Sequence, residues 1–341
     1  MTAAQPAKAP VRTAVIGAGA FGRHHVRIHH ELAESELALV VDRDPEIRRR
    51  VEETYGVPTS ADVADVPDDV LAVSIAVPTQ LHHAVALPFL RRGVSVLIEK
   101  PMVRTLEEGR DLIAAAEASG AVIGVGHVER FNPAVRALRE HDVRPRFIEA
   151  SRVAPFSFRS ADVGAVLDLM IHDIDLVLAL AGSRPVRVEA VGVAVLTPHE
   201  DLASARVVFE NGCVANLTAS RVATKTERKI RVFGSDAYLV ADVGTREGWL
   251  YRKSPDLTVE RVMELRRGAT SLADLQGAVF GELLVTEKLS VPPGDALTEE
   301  IRHFLGCVRD RARPEVGGAE GLAAVSLALQ ILEAIRANAG A

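Results

Sequence analysis

Short apolar runs alternate with amphipathic stretches along the first third of the chain. "RTAVIGAGAFG" begins apolar and breaks into glycines, and a helical stretch follows from about Phe21 to Glu34. "LALVVD" is a second apolar run, ending in Asp42. "PEIRRRVEETYG" reads as a helix with Pro45 in its first turn and Gly56 just past its end. "VLAVSIAVP" and "VSVLIEKP" read as buried strands, each followed by a helix, "QLHHAVALPFLRRG" and "TLEEGRDLIAAAEASG". Thr105 and Glu108 have capping-box spacing at the second of these, and "AVIGVGH" is one more strand. Short apolar strands alternating with helices predict a parallel sheet covered on both faces, over roughly residues 10–127.

The pattern then changes. A helix near 132–141 and the strand "RFIEASRVA" precede "GAVLDLMIHDIDLVLALAG", which reads as a buried helix. From Val186 onward strands dominate: "VRVEAVGVAVL", "ASARVVFE", "CVANLTASRV", "KIRVFGS", "AYLVAD", "GWLYRK" and "LTVERVMEL". Their polar–apolar alternation predicts an antiparallel sheet with one packed face, and "ENG" at 210–212 is a turn between two of them. Two helices, about 298–312 and 319–338, follow. The expected fold class is α/β: an N-terminal doubly wound parallel sheet, then an α+β domain with a large, mostly antiparallel open sheet. The expected boundaries are a disordered tail over 1–10, a dinucleotide-binding domain over 11–127 and a substrate and oligomerisation domain over 128–341.

Composition agrees with a two-domain globular protein: 341 residues, 48% hydrophobic and 25% charged. A net charge of −6 argues against nucleic acid or an acidic membrane as partner. No uninterrupted apolar run reaches the roughly 18 residues that span a bilayer. The first residues lack the apolar core of a signal peptide. Cys213 and Cys307 are far apart and read as reduced thiols, as expected in the cytoplasm.

Gly17, Gly19 and Gly22 form G-x-G-x-x-G between a strand and a helix, with Asp42 twenty residues beyond Gly22 at the next strand's end. That context is the dinucleotide fingerprint. Gly17 permits the tight turn and Gly19 the approach of a pyrophosphate. Gly22 lets helix and strand pack closely, and the helix N-terminus, with Ala20 and Phe21, favours the phosphate charge. Asp42 suits the ribose hydroxyls and repels a 2′-phosphate, so NAD is favoured over NADP, although Arg43 beside it weakens that preference.

In an open α/β sheet, ligands bind beyond the carboxyl ends of the strands. Pro78, Thr79, Glu99, Lys100 and Pro101 follow strand ends and are expected on the nicotinamide side, and His82 is a further candidate for the cofactor. Lys100 is a candidate for polarising a hydroxyl or carbonyl. In the buried helix, Asp168, His172 and Asp175 fall at i, i+4 and i+7 on one face, where an Asp can orient a His for proton transfer. A satisfied core His–Asp pair is the bland alternative. His24, His25, His29 and His30 are read as a helix surface, and no metal is expected.

"AVIGAGAFGRHH", "AVPTQLHH", "IEKP" and "DLMIHDIDL", in this order, resemble the Gfo/Idh/MocA oxidoreductases over nearly the whole chain. The resemblance implies a Rossmann domain, then an open antiparallel sheet used for a homodimer or homotetramer. It maps Lys100, Asp168 and His172 onto the catalytic positions. "GHVERFNPAV", "PFSFRSADVGAVLDLMIHDIDLVL" and "ASRVATKTERKIRVFGS" resemble the branch of UDP-N-acetylglucosamine 3-dehydrogenases, which supply a ketone to a partner aminotransferase. That implies a UDP-sugar substrate, with Arg130, Arg159 and Arg221 (and Arg152) answering a diphosphate, Phe131 stacking and Asn132 reading an amide, beside Asp168 and His172. Two rivals are a dehydrogenase of a free sugar or inositol and a non-catalytic NAD(H)-binding sensor.

Overall fold

The computed structural model describes residues 9–157, 163–255, 257–268 and 283–339, with 271, 273, 274, 277 and 281. The chain divides into two compact units, Met1–Phe131 with Gly294–Ser326, and Asn132–Pro293 with Leu327–Ala341.

The first unit is built on six parallel strands: β1 (Val11–Ile16), β2 (Ser35–Val41), β3 (Thr59–Ser60), β4 (Ala72–Ile75), β5 (Ser95–Glu99) and β6 (Ile123–Gly126). Their order is β3-β2-β1-β4-β5-β6, so the winding reverses between β1 and β4. Ligands of such sheets bind beside that reversal. Helices α1 (Gly22–Glu31), α2 (Pro45–Tyr55), α3 (Thr79–Arg91) and α4 (Leu106–Ser119) follow strands as their apolar spacing predicts. Gly56 ends α2 at φ 66, a conformation that costs glycine least. Thr105 and Glu108 close the expected capping box on α4. Residues from late in the chain complete this unit. Helix α8 (Ala296–Asp310) seats Ile301, Phe304 and Leu305 against Val11, Ile28 and Leu97. Burying each such side chain stabilises by roughly 1.5–3 kcal/mol before entropy is counted.

The second unit holds α5 (Pro133–Arg139), strand β7 (Phe147–Val153), α6 (Ile171–Ala181) and strands β8 (Pro185–Val193), β9 (Leu202–Phe209), β10 (Val214–Ser220), β11 (Glu227–Phe233), β12 (Ala237–Asp242) and β13 (Glu247–Lys253). Helix α7 (Val259–Gly268) and β14 (Leu284–Lys288) follow. The eight-stranded sheet runs β14-β13-β12-β11-β7-β10-β9-β8, antiparallel except for the parallel pair β7/β10. Ile148, Ala150, Leu217, Ile230, Leu239 and Leu250 all point to the buried face, the period-2 pattern seen in the sequence. On the other face Phe147, Phe233, Tyr238 and Tyr251 form a ladder of ring contacts, with Tyr238 and Tyr251 stacked 4.3 Å apart.

Two expectations fail here. "LTVERVMEL" was expected as a strand, but Val259–Gly268 is helical. Alternation of Val, Met and Leu with charges is short enough there to fit either period, and the helix leaves Val259, Val262 and Met263 exposed. Helix α9 (Gly318–Ala339) is long and apolar enough to cross a membrane over Gly318–Asn338, with mean hydropathy 1.4, where no such run was expected. Its leucines, isoleucines, valine and alanines carry that average, interrupted by Glu320, Gln330 and Glu333. Ala324, Val325, Leu327, Ala328 and Ile331 are buried in the protein.

Candidate functional site

The glycine loop has the geometry its spacing demands. Gly17 adopts φ +88, and a Cβ there would lie 2.8 Å from the Ala76 oxygen. A Cβ on Gly22 would lie 1.9 Å from the Gly17 oxygen, so that position has no room for alanine. Gly19 differs: a Cβ would meet nothing within 4 Å, leaving bare backbone beside open space. Phe21 precedes α1 with no side-chain cap on the helix N-terminus. Bare backbone and an uncapped helix start are what a pyrophosphate needs.

Asp42 ends β2 half-buried. Its Oδ2 accepts from Ala18 N at 2.7 Å and its Oδ1 from Asp44 N at 2.9 Å. The carboxylate is therefore tied to the glycine loop itself. A cleft of about 790 Å³ opens here, lined by Gly17, Gly19, Asp42, Arg43, Val77 and Pro78 among others. Its far wall, Ala61–Ala64 with Phe89 and Arg92, was not anticipated. The loop after β3 and the end of α3 carry no motif. Their position past the sheet's carboxyl edge was the available signal. The residues present fit a dinucleotide.

At the ends of β4 and β5 the expected residues divide. Glu99 is buried, with Oε1 3.0 Å from His25 Nε2 and Oε2 accepting from Lys100 N at 3.3 Å. Both oxygens are thus engaged within the protein. His82 is 1% exposed and faces main-chain carbonyls, so its imidazole is turned inward from the cleft. Lys100 is half-buried, and the Lys100–Pro101 peptide bond is cis. Pro78 and Thr79 begin α3. The expected histidine surface on α1 is corrected. His25 and His29 are buried, and His29 bonds Ser35 Oγ at 2.9 Å and Ser74 Oγ at 2.8 Å. Burial, reinforced by nearby His25, pushes the His29 pKa down to about 3. Among the described residues no cluster of three metal-ligating side chains occurs.

In the second unit, Asp168 lies in a π-helical turn, Val166–Met170, that runs into α6. Ile171 N donates to Val166 O, five residues back. Such turns insert one extra residue and often mark functional sites. Asp168 and His172 are half-buried. Asp175, three residues beyond His172, is more deeply buried, at 1% exposed. Asp173 is also buried, and Arg152 grips it with Nε at 3.0 Å and Nη2 at 2.9 Å. The run's charges thus part by exposure into buried Asp173 and Asp175 and half-buried Asp168 and His172.

The start of this helical segment is held by a network the sequence did not reveal. Glu200 Oε1 accepts from Val166 N, and its carboxylate lies where a Gly164 side chain would be. Asp201, wholly buried, accepts main-chain bonds from Val195, Leu196 and Thr197 and a 2.7 Å bond from Arg221 Nε. Burial alone would raise the Asp201 pKa, but these donors outweigh it and hold it well below the ordinary carboxylate range. Arg221 also donates to Val163 O at 2.5 Å and Thr197 Oγ1 at 2.8 Å.

Several residues expected at the substrate have partners within the protein. Arg221 and Arg152 are committed to buried carboxylates. Asn132 caps α5 by accepting from Ala134 N and donates to Val243 O, so its amide edge is used. Phe131 is 2% exposed and packs on His303, with ring centroids 5.4 Å apart. Arg130 is buried in the 3-10 turn before α5. Arg159 lies outside the described residues.

Residues 11–127 match the oxidoreductase family model with an NAD-binding Rossmann fold, and 135–240 match the GFO/IDH/MocA C-terminal domain. The chain is 36% identical to UDP-N-acetylglucosamine 3-dehydrogenase of Acidithiobacillus ferrooxidans, covering 96% of this chain and 98% of that one. It is 25% identical to inositol 2-dehydrogenase of Rhizobium meliloti, covering 93% and 94%. A solved structure of the Acidithiobacillus enzyme matches with TM-score 0.85 and 35% identity over 96% of this chain and 97% of that one. Levoglucosan dehydrogenase in complex with NADH shares the fold, with TM-score 0.78 at 18% identity over 96% and 97%. On these matches the chain belongs to the GFO/IDH/MocA family of oxidoreductases.

Proposed function

We propose that the protein oxidises a ring hydroxyl of a UDP-N-acetyl sugar, at the 3-position of UDP-N-acetylglucosamine, with NAD as acceptor. The observation that carries this reading is the 36% identity, over nearly the full length of both chains, to an enzyme named for that reaction. Gly17, Gly19 and Gly22 would hold the pyrophosphate, and Asp42 the adenine ribose. NAD suits the site better than NADP because the half-buried Asp42 carboxylate repels a 2′-phosphate, while Arg43 beside it is exposed. When bound, the nicotinamide supplies the hydride acceptor.

Lys100, Asp168 and His172 carry the proton chemistry. As the C–H hydride leaves the sugar, its hydroxyl proton passes to His172 or Lys100, and the other donates to the developing oxyanion. Asp168 orients His172 or grips a neighbouring hydroxyl. Copies of the chain associate, as a homodimer or homotetramer, through the open sheet face that bears Phe147, Phe233, Tyr238 and Tyr251. A sugar aminotransferase consumes the ketone. The free, buried Cys213 and Cys307 suit the cytoplasm.

The test is NADH absorbance with purified protein, NAD and UDP-N-acetylglucosamine, coupled to an aminotransferase that removes the ketone. Turnover that disappears in Lys100→Ala and His172→Ala supports the reading. Turnover of free inositol with none on the UDP-sugar would replace it with the rival that the inositol 2-dehydrogenase likeness favours.

A further inference from the structure

The turn that bears Lys100 is flanked by two buried imidazoles. On its upstream side, His25 holds the Glu99 carboxylate at 3.0 Å, and Glu99 in turn accepts from the Lys100 amide. On its downstream side stands His82, from the first turn of α3. His82 Nδ1 lies 2.9 Å from Pro101 O and 3.3 Å from Met102 O, while Nε2 lies 2.9 Å from Val77 O. One ring thus spans two chain segments. Val77 belongs to the wall of the nucleotide cleft, and Pro101 directly follows Lys100.

These carbonyls lie where the sheet can no longer serve them. The β4/β5 ladder ends at the pair Ile75 and Ile98, before Val77 and before Pro101. A buried carbonyl left without a donor costs about 1–3 kcal/mol. An imidazole carries nitrogens on opposite edges of a rigid plane, and with a proton on each it donates to both segments at once. A side-chain amide carries its N–H groups at one end and serves one segment. The lysine side chain is long and flexible, so its reach is set by where the turn holds its backbone.

We propose that His82 is a positioning residue: it fixes the Lys100–Pro101 turn against the wall of the nucleotide cleft and so sets where the Lys100 amine can act. The proposal rests on the catalytic reading of Lys100. It assigns His82 no contact with cofactor or substrate.

The experiment uses the full chain with His82→Ala, His82→Gln and Lys100→Ala variants. Three quantities are read: kcat with NAD and UDP-N-acetylglucosamine, NADH affinity by fluorescence, and amide hydrogen exchange of the segment 99–103. Misplacement by about 1 Å costs on the order of 100-fold, which is the expected loss of kcat in His82→Ala. NADH affinity should stay within a few-fold, and exchange should rise in 99–103 but not in β10. His82→Gln restores one bridge and should recover part of both kcat and protection. Exchange in 99–103 unchanged in His82→Ala would overturn the proposal. So would a kcat loss matched by an equal loss of NADH binding. Full turnover in Lys100→Ala would instead sink the catalytic reading of Lys100, and the exchange result would still decide whether His82 holds the turn. Should His82→Ala fail to fold, His82→Gln carries the same comparison.

Discussion

Glu99 occupies the space that a side chain on Gly126 would fill. The two are register partners on β5 and β6, and a Cβ on Gly126 would lie 2.6 Å from Glu99 Oε1. Gly126→Ala must therefore push the carboxylate off His25 and disturb the residue preceding Lys100. The expected cost is about 1–3 kcal/mol of stability, as for other overpacked sites, with a fall in kcat larger than any change in KM. Urea unfolding and steady-state kinetics on the same sample check both.

The loop glycines give a sharper contrast. Gly22→Ala collides with the Gly17 oxygen and should raise the NADH dissociation constant at least tenfold, about 1.4 kcal/mol. Gly19→Ala places its methyl in open space and should leave stability intact, losing only affinity. Equal stability losses in the two variants would contradict this account of the loop.

His29 sets an acid limit on the first unit. Its folded pKa of about 3 lies below the ordinary 6.5, so the unfolded chain binds the proton more readily between those values. Its contribution is fully present above pH 6.5 and is lost as pH falls toward 3. Each unit of that depression corresponds to about 1.4 kcal/mol. Unfolding free energy should drop between pH 7 and pH 5, and His29→Gln should flatten the slope while lowering stability at pH 7.

Arg221 and Asp201 predict a stability defect where a ligand role would predict a binding defect. Removing either partner of a buried pair costs about 3–5 kcal/mol. Arg221→Ala should lower the midpoint of thermal unfolding markedly. Because the folded Asp201 pKa is depressed, the pair's contribution is present above the ordinary carboxylate pKa and fades in stronger acid. A variant of normal stability with a raised KM for UDP-sugar would instead support a substrate role for Arg221.

These cases show where a sequence speaks and where it does not. The parallel sheet, the tight turn at Gly17 and the capping box on α4 are local patterns, complete within a few residues or one β–α–β unit, and the fold bears them out. The same holds for strands that alternate toward one packed face. Arg221, Asn132 and Glu99 differ because their partners are distant: Asp201 lies 20 residues away from Arg221, Val243 lies 111 from Asn132, and His25 lies 74 from Glu99. A string shows an arginine or a carboxylate in a promising motif but not whether folding has already paired it. The π turn at Asp168 was equally hidden, since an extra residue within a helix leaves no compositional mark.

Helix α8 gives the first unit an unusual timetable during synthesis. Val11, Ile28 and Leu97 emerge early, yet the Ile301, Phe304 and Leu305 that cover them come only after the whole segment Asn132–Pro293. At roughly 5–20 residues per second, translation leaves that apolar face bare for on the order of ten seconds or more. The nascent chain thus carries an unfinished first unit, one apolar face uncovered, until Ala296–Asp310 has been made.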